Sequence, residues 1–160
     1  MNKHYIKNRK ILIIGGAGFI GHNLALKLNS LGAKVVVLDG LVVNNIYSVK
    51  SNENNLPFPK LALKILNQRF NLLKKNNITL KKIDARDYIA LSKYISFFKP
   101  QVIIHLAAVS HANRSNKDPH STFDHSLRTL ENSLDCAKNN IEHFIFLSSS
   151  MVYGNFLKKK

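Results

Sequence analysis

The chain has 160 residues, of which 45% are hydrophobic, and a net charge of +15; that length suits one domain burying ~70% of its unfolded surface. No run of eighteen apolar residues exists, so no membrane-spanning helix is implied, and one cysteine, Cys136, excludes a disulfide framework and fits a reducing cytoplasm. The lysines are scattered among Asn and Ile instead of forming an aromatic-interleaved basic stripe, which argues against nucleic acid but leaves a positive field suited to an anionic small ligand.

Lys3, Lys7, Arg9 and Lys10 before an apolar run imitate a signal peptide, but glycines break that run within five residues. The run is instead a first strand, Ile11 to Ile14, and it empties into Gly15, Gly18 and Gly21 at spacing three. A strand, a tight turn and a helix start in this order let backbone amides approach a diphosphate. Gly15 takes the turn's backbone angle, Gly18 presents no Cβ to the phosphates, and Gly21 lets the helix pack close to the strand. The positive end of the helix, with Phe19 and Ile20 in its first turn, then faces the anion.

That helix runs from about Phe19 to Leu31, with Gly32 as its stop. A second strand, Lys34 to Leu38, ends at Asp39, whose carboxylate is placed to accept ribose hydroxyls. Leu41 to Asn77 is long for one crossover: its Asn- and Ser-rich first half reads as a loop, either flexible or functional at the ligand edge. Its second half, Lys60 to Lys75, places Leu61, Ile65, Leu66, Phe70 and Leu73 on a helix face. Strand three spans about Thr79 to Ile83. The next helix carries Tyr88, Leu91, Tyr94, Ile95 and Phe98 and exits at Pro100. Strand four is Gln101 to His105 and strand five His143 to Leu147. Between them Thr122 to Lys138 reads as one helix with Phe123, Leu127, Leu130, Leu134 and Ala137 on one face. The alternation predicts an α/β fold, a three-layer doubly wound parallel sheet of about five strands. Residues 1–157 form the dinucleotide-binding domain and Lys158 to Lys160 a solvated basic tail.

Further motifs follow in order: Asp84-Ala-Arg-Asp87 after strand three, His105-Leu-Ala-Ala108 at strand four, Ser110-His-Ala-Asn-Arg-Ser115 with Asp118-Pro119, and Phe146-Leu-Ser-Ser-Ser-Met-Val-Tyr-Gly154. Together with the glycine turn they resemble the extended short-chain dehydrogenase/reductases, in particular the NAD-dependent epimerase/dehydratase family acting on nucleotide sugars. The likeness runs from residue 10 to residue 154. It implies NAD held by Gly15, Gly18, Phe19, Ile20, Gly21 and Asp39, with Asp84 and Ala85 at the adenine and Leu106, Ala107 and Ala108 lining the pocket. It implies Ser149, four residues before Tyr153, as the catalytic hydroxyl that binds the sugar and shares the moving proton.

The residues also carry plainer roles. Asp87 is the better helix cap, which leaves Asp84 for the ligand. His105 at a strand end reads as a packed structural histidine, and Arg114 fits a phosphate contact or a surface ion pair equally well. His111, His120 and His125 have no metal-ligand spacing, so no metal is expected. No arginine follows Asp39 to receive a 2′-phosphate, and Ala17 precedes the second glycine, which favours NAD over NADP.

Two departures from the family pattern stand out. Dehydratases of the family carry Asp-Glu after the catalytic residue where this chain has Ser150 and Met151, so epimerisation or simple oxidoreduction is expected over loss of water. The family's Tyr-x-x-x-Lys pair is absent: four residues beyond Tyr5, Tyr47, Tyr88, Tyr94 and Tyr153 stand Arg9, Ser51, Ser92, Phe98 and Leu157. The chain is therefore expected to be the N-terminal cofactor half of a longer enzyme, truncated before its substrate region. A nucleotide-sugar-like small molecule would be its partner once completed, with a second copy or a complementing C-terminal chain. The alternative is a non-catalytic dinucleotide-binding remnant or sensor. Either way a sheet edge and an apolar helix face are expected to lie uncovered.

Overall fold

The computed structural model describes residues 5–43, 45–51, 56–109, 117–138 and 141–154. The short apolar runs become five strands: β1 (Lys10–Ile14), β2 (Lys34–Asp39), β3 (Thr79–Lys82), β4 (Val102–His105) and β5 (His143–Phe146). All pair in parallel, in the order β3-β2-β1-β4-β5. In register, Ile14 lies beside Leu38 on one side and His105 on the other, so three strand ends finish together. Parallel strands covered on both faces need apolar residues at successive positions, and β1 supplies them. Ile11 and Ile13 enter a core with Ala25, Val35, Val37, Leu73 and Ile104, while Leu12 and Ile14 enter a second core with Val36, Leu38, Leu91, Ile95 and Ile103. The sheet is thus the middle of three layers, as its sequence pattern predicts.

The helices are α1 (Phe19–Ser30), α2 (Ile46–Lys50), α3 (Pro59–Lys75), α4 (Tyr88–Phe98), α5 (Pro119–Phe123) and α6 (Thr129–Ala137). A π-helical segment, Asp124–Arg128, joins α5 to α6. Gly32, at φ +90°, ends α1 as expected. Asp87 caps α4 by accepting from the Ala90 amide at 3.0 Å. No helix among the described residues is long and apolar enough to cross a membrane.

Three expectations are corrected. The entry to the long crossover is not all loop, because α2 forms there behind a capping box. The Asn45 side chain accepts from the Ile46 amide (2.8 Å), and Ser48 Oγ accepts from the Asn45 amide (3.0 Å). On α3, Leu66 and Leu73 are buried, but Leu61 and Ile65 stand exposed, so the start of that helix overhangs the core.

The third correction concerns α5 to α6. This helical stretch begins at Pro119, not Thr122, and its buried face is Thr129, Ser133 and Ala137. Small residues four apart bring the helix backbone close to the layer beneath. Phe123, Leu127 and Leu134 therefore point outward, exposed by about half or more. Exposure continues at β5, where Ile145, Phe146 and the following Leu147 all remain accessible. The basic tail, Lys158 to Lys160, lies outside the described residues.

Candidate functional site

The turn after β1 is shaped by its glycines in three different ways. Gly15 has φ +77°, and a Cβ there would sit 2.6 Å from the Ala107 amide nitrogen, so it needs both the left-handed angle and the space. A Cβ on Gly21 would lie 2.5 Å from Gly16 Cα: the helix is pressed on the turn backbone itself, not on the strand as its spacing suggested. At Gly18 a Cβ would meet only the Gly15 carbonyl, at 3.4 Å. Gly18 therefore costs the fold nothing and leaves the approach to α1 open.

Helix α1 starts without a side-chain cap and with no acidic residue in its first turn. Its first amides have no carbonyl one turn back to bond. The first intrahelical bond is from the His22 amide to the Gly18 carbonyl, at 3.1 Å, and His22 Nδ1 lies 2.9 Å from the same oxygen. The open amides face a cavity of about 440 Å³, within the range of small-molecule sites.

Every candidate for holding the dinucleotide borders this cavity: Gly15, Gly18, Phe19, Ile20, Gly21, Asp39, Asp84, Ala85, Leu106, Ala107 and Ala108. They come from four separate stretches of sequence, gathered where the parallel strands end together. Ser149 is not among the lining residues; Leu147, two positions earlier, is. The segment beyond it forms a 3₁₀ turn, Ser150–Tyr153. The loop Ser110 to Ser115, with His111 and Arg114, lies outside the described residues.

Asp39 joins the turn to the second strand. Its Oδ2 accepts from the Ala17 amide (3.0 Å) and its Oδ1 from the Leu41 amide (2.8 Å). Burial pushes this carboxyl above its ordinary range, opposed by those two amides and reinforced by the charge of Asp84. Asp84 is not left free by Asp87. Both its oxygens are held by the Arg86 guanidinium, at 2.7 and 3.1 Å. Burial raises the Asp84 carboxyl, but the Arg86 hydrogen bonds and charge outweigh it and hold the group below its usual value. Arg86 also reaches Asp124 at 2.7 Å, and Asp124 pairs with Arg128. The exit of β3 is thereby fastened to the π-helical segment. His125 of that segment and Thr129 at the start of α6 border the cavity, and Ser126 Oγ accepts from the Val109 amide at 3.1 Å.

His105 is structural, as expected from its strand end. It is fully buried against Phe144 and Phe146, with Nε2 3.2 Å from the Ala107 carbonyl and Nδ1 without a hydrogen-bond partner among the described residues. Burial pulls its pKa down to about 4, so the ring is neutral. With Nε2–H donating to Ala107, the ring steadies the very residue that Gly15 approaches.

Sequence reasoning missed several lining residues: Gly40, Val42, Val43, Asn45, Arg69, His125 and Thr129. The Asn-x-x-Ser spacing at the start of α2 is a signal that could have placed Asn45. Arg69 could not have been found, since it stands thirty residues beyond Asp39 on α3 and reaches the cavity only through tertiary packing.

The family model described as the NAD dependent epimerase/dehydratase family matches residues 11–160. A dTDP-D-glucose 4,6-dehydratase from Dictyostelium discoideum is 35% identical over 98% of this chain and 32% of its own length. A UDP-glucose 4-epimerase from Caenorhabditis elegans is 33% identical over 90% of this chain and 39% of its own. Among solved structures, UDP-glucose-4-epimerase from Stenotrophomonas maltophila with bound NAD and formylated UDP-arabinopyranose superimposes with a TM-score of 0.71. It is 23% identical and covers 93% of this chain and 39% of that one, a likeness of fold. The chain thus spans about two-fifths or less of the length of these relatives. The glycine turn, the strand-end acid and the match over nearly every residue lead to one conclusion: the chain belongs to the NAD-dependent epimerase/dehydratase family.

Proposed function

We propose that this chain binds NAD in the cavity at the end of β1 and forms the cofactor-binding part of a nucleotide-sugar epimerase or related oxidoreductase. The observation that carries the reading is the uncapped start of α1, facing an open cavity beside a Gly18 that has no fold-imposed reason to be glycine. The diphosphate would lie against the amides of Phe19, Ile20 and Gly21. Asp39 keeps lone pairs for the ribose hydroxyls while two amides fix its carboxylate. Ala85 and the Arg86-anchored Asp84 would border the adenine, and Leu106, Ala107 and Ala108 the rest of the cofactor. When bound, NAD supplies a hydride acceptor for a sugar carbon.

Ser149 is the proposed hydroxyl that would orient the sugar. Epimerisation is favoured over dehydration because Ser150 and Met151 occupy the positions where the dehydratases carry an acid pair. No tyrosine in these 160 residues has a lysine four positions on, so the chain by itself is expected to bind without turnover. This favours a second reading, a dinucleotide-binding module without catalysis.

Calorimetric titration with NAD, followed by a cofactor-reduction assay with a panel of nucleotide sugars, tests both. Saturable NAD binding without reduction is the expected result for the chain alone. No binding at millimolar NAD would defeat both readings, and turnover by the unaided chain would defeat the claim that its general base is missing.

A further inference from the structure

A bound dinucleotide brings two negative charges in its diphosphate, whereas a helix start offers the equivalent of only about half a positive charge. Around the cavity two carboxylates, Asp39 and Asp84, add further negative charge. Arg69 is the only lysine or arginine lining this space among the described residues. Its guanidinium stands over the Phe19 ring, 5.7 Å from the centroid, and Phe19 is the first residue of α1.

The other described arginines are spent on protein carboxylates: Arg9 on Glu142, Arg86 on Asp84 and Asp124, and Arg128 on Asp124. Arg69 has no ion-pair partner among the described residues, although burial disfavours its charged form. A partly buried cation with no carboxylate against it gains when an anion meets it. Ordinary packing does not account for the choice: Lys60 and Lys64 on the same helix point into solvent, whereas Arg69 is turned to the cavity.

We propose that Arg69 is a phosphate-binding residue, closing on the diphosphate of the dinucleotide from the side opposite the amides of α1, with Phe19 holding its guanidinium in place. This rests on the cofactor reading above. The diphosphate is the preferred target over a 2′-phosphate because Asp39, buried and facing the ribose position, would repel the latter. Arginine suits the task, since its planar fork can stack on a ring and hold two oxygens together.

The test compares the wild-type chain with Arg69→Met, which keeps the apolar stem, and Arg69→Lys, which keeps the charge. NAD, NADP, ADP and adenosine are the probes, followed by calorimetry and by amide shifts, with thermal unfolding as the check on folding. The assignment predicts that Arg69→Met weakens NAD, NADP and ADP alike by about tenfold or more, leaves adenosine unchanged and flattens the salt dependence of NAD binding. Arg69→Lys should recover part of the loss. Unchanged NAD affinity in Arg69→Met beside a binding wild type overturns this assignment alone, as does a loss shared by adenosine or confined to NADP. A wild type that binds no NAD overturns the cofactor reading and this assignment together.

Discussion

Glycines of one motif carry separate duties, and the duties predict opposite phenotypes. Gly21→Ala forces a methyl into the backbone of Gly16 and should cost about 1–3 kcal/mol of stability, read as a lowered urea midpoint. Gly18→Ala meets one atom at an ordinary distance; its unfolding should barely change while NAD affinity falls by about tenfold, because the methyl occupies the phosphate approach. Equal destabilisation by both would show that Gly18 serves packing. His105 makes a different prediction. Folded, its pKa is about 4; unfolded, it is roughly 6.5. The unfolded chain therefore binds a proton that the folded chain refuses between those values. This share of stability, roughly 3 kcal/mol, is complete above pH 6.5 and lost as pH falls toward 4. His105→Gln should flatten the stability profile across that window in urea melts, and an unchanged slope would contradict the neutral buried ring.

At the scale of elements, the short apolar runs were readable because a strand covered on both faces must be apolar at nearly every position. The glycine turn and Asp39 were readable because spacing alone puts them at adjacent strand ends. Asp87 was readable from its place before a periodic run, and Asp87→Ala should cost α4 about 1 kcal/mol by chemical denaturation. What stayed hidden depends on long-range packing. The Arg86 bridge from Asp84 reaches Asp124, 38 residues beyond Arg86, and the approach of Arg69 to Phe19 spans fifty positions. Periodicity also misled on the last helix. Its leucines share a face in sequence, yet of that face Ala137 is buried and it packs inward with the small residues Thr129 and Ser133, because a helix lying close on its neighbours leaves little room for long side chains.

For the whole molecule, the outward faces of Phe123, Leu127 and Leu134 and the accessible Ile145 and Phe146 of β5 with the following Leu147 leave apolar surface with no described cover. Such surface favours association of copies of the chain. Sedimentation should show mass increasing with concentration, reduced in Leu127→Glu; a concentration-independent monomer would contradict this. The opposite edge is better protected, since β3 carries Lys81 and Lys82, and edge lysines discourage strand addition.

The central claim is that the coenzyme seats its diphosphate on the start of α1. It is tested most directly by following backbone amide shifts during an NAD titration of ¹⁵N-labelled chain. The largest saturable changes should fall on Phe19, Ile20 and Gly21, with Gly40 and Ala85 next. Shifts that avoid the glycine turn, or no shifts at millimolar NAD, would contradict it.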